Sequence, residues 1–151
     1  MTHQSDYPTP ITRDEFSVRI VELCLKSGLT GFLRKSRDQQ ILMKSVALTL
    51  NVVEEYTEKE MDEKLSAWLR DTGRSISFDH VNLRRLLVDK EHIGRSRDGS
   101  RYWLAAFSRN QPLFEPEVDE IDVHGLIRAG REEIAQRKQE YMQRRQISRA
   151  V

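Results

Sequence analysis

Apolar positions recur along this chain mostly at the three-to-four-residue spacing of helices, with one short stretch that alternates like a strand pair. Phe16, Ile20, Leu23 and Cys24 make one face of a first helix. Thr12 and Glu15 stand in capping-box spacing at its start, and Gly28 sits where a left-handed cap would close it. A second helix starts near Ser36 and buries Ile41, Leu42, Val46 and Leu50. An extended stretch from Val52 to Tyr56 leads to a third helix, whose start is the clearest. Thr57 and Glu60 form a second capping box, Tyr56 and Met61 hold the positions of a hydrophobic staple, and Met61, Leu65, Trp68 and Leu69 share a face. Asp71, Thr72 and Gly73 break that helix.

The fourth helix runs from about Asp79 to about Glu91, with Asp79 or Ser77 as cap. Leu83, Leu86 and Leu87 point one way and Val81 and Val88 nearly the other, which predicts a helix wedged between neighbours. The open stripe left over holds Asn82, Arg85 and Asp89, with Arg84 at its border. Asp98-Gly99 then marks a β-hairpin, because a two-residue turn of this kind needs positive φ at both positions. That turn pairs Arg95 with Tyr102 and Ile93 with Leu104, and places Gly94 opposite Trp103. Residues 107–121 read as a linker, since Pro112 and Pro116 disfavour helix. A last amphipathic helix begins at about 122 and takes up the 122–151 segment, its periodic part ending near 146. Val123, Ile127, Ile134 and Tyr141 form a narrow stripe on it, with Leu126 and Met142 beside, and Gly130 weakens it by roughly 1 kcal/mol relative to Ala.

A chain of 151 residues favours one domain with an appendage. The reading is a mainly α, winged helix-turn-helix-like domain over 1–106, a linker, and a basic C-terminal helix. The single cysteine, Cys24, forms no internal disulfide and reads as a packed apolar thiol. No apolar run approaches the roughly 20 residues that span a bilayer, and the first residues lack a signal pattern, so the expectation is a cytoplasmic protein without a membrane partner.

The net charge of +1 excludes a strongly basic nucleic-acid wrapper but hides a pattern. Residues 54–71 hold seven acids and three bases, a net −4, and residues 79–101 hold six bases and four acids, a net +2. The five acids of 115–122 stand without a base, and 123–151 holds seven bases against three acids. Solvated helix faces account for much of this, and a positive face over the third block and the tail is the sharper reading.

Two helices followed by a hairpin is the plan of a winged helix-turn-helix, in which the fourth helix here is the candidate recognition helix. The residues also carry a resemblance. YTEKEMDEKLSAW followed by NLRRLLVDKEHIGRSRDGSRYW resembles a bacterial family known as domain of unknown function 2087. The matching positions include Tyr56, Thr57, Glu58, Asp62, Leu65, Leu83, Arg84, Arg85, Leu87, Val88, Asp89, Arg95, Asp98, Gly99 and Tyr102, within about 29–105. Two stretches depart from the pattern. The loop from Asp71 to Ser77 is longer, and Glu91-His92-Ile93-Gly94 replaces a Gly-Leu-Leu-like run. Some relatives carry the module behind an ArsR-like regulator domain, so the resemblance implies a link to transcription.

Candidate catalytic chemistry is sparse. There is no glycine-rich phosphate loop, and His3, His80, His92 and His124 lack metal-ligand spacing and read as surface histidines. Glu54 with Glu55, or Glu58 with Asp62, are ordinary for an acid-rich helix start. The expectation is a non-enzyme with no cofactor and no metal. Arg84 is expected to pair with a third-helix carboxylate such as Asp62. For Arg85 a base-edge or phosphate role and a structural role both stand. Asn82, Arg85, Arg95, Arg97 and Arg101 are the candidate nucleic-acid residues, and Trp103 reads as an anchor of the hairpin. The resulting expectation is a DNA-binding transcriptional regulator of winged-helix type that binds double-stranded DNA as a homodimer through its C-terminal helix, in preference to that helix simply docking on the first. The alternative is a non-enzymatic protein–protein interaction module that binds no DNA.

Overall fold

The computed structural model describes residues 9–25, 35–73, 76, 79–105 and 114–150. The predicted cap at Gly28, the alternative cap Ser77 and linker residues 107–113 lie outside them. In chain order the elements are α1 (Arg13–Leu25), α2 (Ser36–Ala47), β1 (Glu55–Thr57), α3 (Glu58–Asp71), α4 (His80–Asp89), β2 (Ile93–Arg95), β3 (Arg101–Leu104), a 3-10 turn (Pro116–Glu120) and α5 (Val123–Ala150). The protein is mainly helical with a small antiparallel sheet and a C-terminal helix, a winged-helix-like arrangement.

Both predicted capping boxes sit at helix starts, but only one closes. At α3, Thr57 Oγ1 accepts from the Glu60 N–H (3.1 Å) and the Glu60 carboxylate accepts from the Thr57 N–H (3.0 Å). At α1, the Glu15 N–H donates to Thr12 Oγ1 (3.0 Å), while the Glu15 carboxylate is taken by the Arg37 guanidinium of α2. Arg19 adds a fork on Asp38 at 2.8 and 2.7 Å, so two α1–α2 ion pairs fix that crossing.

The sheet has order β1-β3-β2. The hairpin register is the predicted one, with Ile93 opposite Leu104, Gly94 opposite Trp103 and Arg95 opposite Tyr102. The turn differs from the prediction. Gly99 has φ of 73° whereas Asp98 keeps negative φ, and the strands end at Arg95 and Arg101. The Asp98 carboxylate accepts from Ser96 Oγ (2.8 Å), Ser100 Oγ (2.7 Å) and Ser100 N–H (3.1 Å), which ties a wider five-residue tip together. The stretch before α3 pairs with β3 as a third strand, placing Tyr56 against Tyr102. That pairing satisfies the outer backbone groups of β3, which a two-stranded hairpin would leave as an open edge.

One core joins α1, α2, α3, α4 and the sheet, and Leu83, Leu86 and Leu87 lie in it with Met61, Leu65 and Trp68. On the opposite side of α4, Val88 is half-buried against the core.

The segment read as a linker is partly structured. Phe114 bridges to Ile11, the Glu115 N–H donates to Ile11 O (2.9 Å), and Val118 is fully buried. Proline at the first position suits a short helix start, so Pro116 begins the 3-10 turn here and breaks nothing. Phe114 meets Phe16 edge-on at 6.4 Å, and Lys44 pairs with Asp119 at 2.8 Å.

From this strap α5 sets its first turns on α1, burying Val123 and Ile127. The first two members of the α5 stripe are thus covered within the chain. Gly130 allows the approach, since a Cβ there would lie 2.6 Å from Leu25 Cδ1 and 3.3 Å from Val21 Cγ1. Arg131 then donates to the backbone carbonyls of Asp71 (2.6 Å) and Thr72 (3.2 Å), capping the end of α3.

Candidate nucleic-acid interface

The candidate surface consists of one face of α4 and the hairpin beside it. Asp79 starts α4 by accepting from the Asn82 N–H at 2.9 Å. The burial of Leu83, Leu86 and Leu87 turns Asn82, Arg85 and Asp89 outward, and all three are exposed, as the periodicity predicts. The far end of α4 closes in a Schellman motif. The Glu91 N–H donates to Val88 O (3.0 Å), the His92 N–H donates to Leu87 O (2.9 Å), and Glu91 takes φ of 61°. This is the stretch where the chain departs from the glycine of the pattern it resembles.

Arg84 is structural. It pairs with Asp62, reaches Glu58 at 3.3 Å, and stacks over the Tyr102 ring at 5.6 Å, with 14% of its side chain exposed. Burial works against its charge, but the Asp62 hydrogen bond and the surrounding negative charge outweigh that and hold its pKa raised. Pairing with a third-helix carboxylate was legible from the sequence and is met by Asp62 and Glu58; Tyr102 as a further partner was not, because it comes from β3.

Arg85 and Arg95 converge. With Arg84, Val88, Asp89, Tyr102 and Glu58 they line a depression of about 220 Å³ between α4 and the sheet. The Arg95 guanidinium lies over the turn, close enough that a Cβ on Gly99 would be 2.5 Å from Nη2. Arg97 and Arg101 are exposed beyond that depression, at the tip and on the first residue of β3. Hydrogen bonds from Ser100, first, and from Ser96 pull the Asp98 pKa down to about 2, so the tip keeps a fixed negative charge between these arginines. On the outer sheet face Trp103 lies against Gly94, where a Cβ would come within 2.1 Å of the indole Nε1, and the ring is 37% exposed. Trp103 thus anchors the hairpin through a residue that has no side chain to displace it.

The neighbouring surface carries the opposite sign. The outer face of α3 is a shallow trough lined by Glu58, Asp62 and Glu63 with Lys59, Ser66 and Arg70.

One residue departs from the surface-histidine reading. His92 is buried, because as the residue after the left-handed cap it turns back under α4. It contacts Gln40 Oε1 through Nε2 at 2.6 Å. Burial, and next the Lys44 charge, push its pKa down to about 3, so it is a neutral core group. Cys24 is also buried, and burial pushes its thiol up to about 12, which makes it unreactive at neutral pH. Among the described residues no group of histidine, cysteine or carboxylate side chains is placed to hold a metal ion, and no helix is long and apolar enough to cross a membrane.

A family model described as an uncharacterized protein conserved in bacteria (DUF2087) matches residues 28–104, half of the chain. No match was found among curated proteins or among solved structures.

Proposed function

The chain belongs to the bacterial family DUF2087, and from that membership and the geometry of α4 and the hairpin we propose that it is a winged-helix transcriptional regulator that binds double-stranded DNA without enzymatic activity. The observation that carries this reading is the exposure of Asn82 and Arg85 on α4 and of Arg95, Arg97 and Arg101 on the hairpin. In this reading α4 enters the major groove, where Asn82 and Arg85 meet base edges, and the hairpin arginines hold phosphates. The protein works as a homodimer, since two copies read two half-sites.

Anisotropy of labelled duplexes over a salt series tests it. Affinity falls with salt because the arginines displace counterions. Replacing Arg97 and Arg101 with Ala weakens binding to all sequences and flattens the salt slope by about one per lost contact. Arg85→Ala changes sequence preference as well. No retention of any duplex at low salt would remove the DNA reading.

The acidic outer face of α3 and Asp89 in the α4 stripe favour a second reading, a non-enzymatic protein-interaction module. Its mark would be partner binding that survives the hairpin substitutions.

A further inference from the structure

The depression between α4 and the sheet carries two positive charges that the fold leaves unpaired. The hairpin register sets Arg95 opposite Tyr102, so Arg95 stands on the face of the sheet that also holds the buried Ile93 and Tyr102. From the other side α4 brings Arg85 to the same space. Among the described residues neither Arg85 nor Arg95 has a hydrogen bond or an ion pair. Arg84 differs, because Asp62 and Glu58 already balance it. Asp89, the remaining acid of the wall, is also unpaired among the described residues, so the open groups, two bases and one acid, leave a net charge of +1. The Arg95 guanidinium lies over the turn at Gly99 but is bonded to nothing there, so it turns toward the depression without breaking a hydrogen bond.

We propose that this depression binds the phosphate group of a small phosphate monoester, gripped by Arg85 from α4 and Arg95 from β2. A guanidinium is a planar fork that gives parallel hydrogen bonds to an oxyanion. One fork is enough for the two oxygens of a carboxylate, whereas two forks from different elements suit the three terminal oxygens of a phosphate monoester. Its charge of about −1.5 to −2 at neutral pH also matches two unpaired guanidiniums. A nucleic-acid phosphodiester carries a single charge and offers fewer free oxygens. The volume of about 220 Å³ lies below the range of drug-sized ligands, which limits the rest of the molecule to a small group. Asp89 opposes the charge of the ligand and so holds its affinity down.

This goes beyond the DNA reading, although it calls on two of the same arginines, and it is measured without nucleic acid, so either can fail alone. Methyl phosphate is titrated into the ¹⁵N-labelled full chain at neutral pH and fixed ionic strength, and the arginine Nε–Hε resonances are followed. Arg85 and Arg95 shift along one saturating curve, while Arg97 at the tip and Arg101 on the opposite face of β3 do not. Arg85→Gln and Arg95→Gln each raise the midpoint about tenfold. Arg97→Gln with Arg101→Gln removes two positive charges outside the depression and raises it roughly twofold or less. Asp89→Asn lowers it. Dimethyl phosphate, which has the chemistry of a nucleic-acid backbone, binds about tenfold more weakly than methyl phosphate. All five substituted positions are exposed, and an unchanged circular-dichroism melt confirms that the variants stay folded. Shifts that fail to saturate by tens of millimolar overturn the proposal, as does an unchanged midpoint in Asp89→Asn. Equal weakening by the two sets of arginine variants would also overturn it, since that means only a general attraction of anions to a basic surface. Dimethyl phosphate binding as tightly as methyl phosphate would overturn the monoester and assign these two arginines to a nucleic-acid backbone.

Discussion

The His92–Gln40 contact makes the stability of this protein depend on pH in the titration range of an ordinary histidine. His92 is 2% exposed and sits at 2.6 Å from Gln40, with Lys44 contributing a like charge. Its pKa falls from an ordinary 6.5 to about 3 on folding. The unfolded chain therefore binds the proton first. Stability from this group is complete above pH 6.5 and is lost as pH falls below it, down to about pH 3. Between pH 8 and pH 5 the unfolded histidine titrates over about 1.5 units, which corresponds to a loss of about 2 kcal/mol. Glu15 and Asp38 are also paired in the fold and have lowered pKa values, Glu15 first through its Arg37 hydrogen bond and Asp38 first through Arg19. Their contributions are present above their unfolded values of 4.5 and 3.8 and disappear only below them, so the pH 5 to 8 interval isolates the histidine. Urea denaturation followed by circular dichroism at pH 8, 7, 6 and 5 measures the slope. His92→Gln starts lower at pH 8, by about 1–3 kcal/mol for the repacked site, but lacks the His92 share of the slope. Equal losses in the two proteins from pH 8 to pH 5 would refute the reasoning, as would a His92 ring resonance that titrates near 6.5 in the folded state.

Leu86→Ala removes a side chain from the α3–α4 core and costs about 2–3 kcal/mol, measured by urea denaturation; no loss would mean that α4 faces the other way. Asp62→Asn leaves Arg84 with Glu58 and the Tyr102 ring, at a cost of about 1–2 kcal/mol given the partly exposed pair, and a double-mutant cycle with Arg84→Met recovers the coupling. Gly94→Val forces the Trp103 ring off the sheet, with a loss of about 1–3 kcal/mol and a red shift in tryptophan emission.

Local chemistry determined a large part of this molecule. The closed capping box at Thr57 and Glu60, the Asp79 cap and the hairpin register all arise from residues within a few positions of one another, so their spacing in the sequence is enough to place them. The Arg84–Asp62 pair was also legible, because two adjacent amphipathic helices must face each other in one way to bury their leucines. The outward stripe of Asn82 and Arg85 follows from the same periodicity.

Contacts between distant segments were decided only by the tertiary structure. Glu15 has the spacing of a capping residue, yet its carboxylate goes to Arg37, since a guanidinium from α2 is a stronger partner than a backbone N–H that water can serve. Residues 114–121 carry the prolines and acids of a linker but become a strap, because Phe114 and Val118 find an apolar surface formed by α1. Gly130 looks like a weakness in a helix and proves to be the point where that helix meets α1. His92 has the sequence surroundings of a surface residue but is buried by the left-handed turn at Glu91, which directs it toward Gln40 on α2. In each case the local preference is worth about 1 kcal/mol or less, and burial against a segment far away in sequence outweighs it.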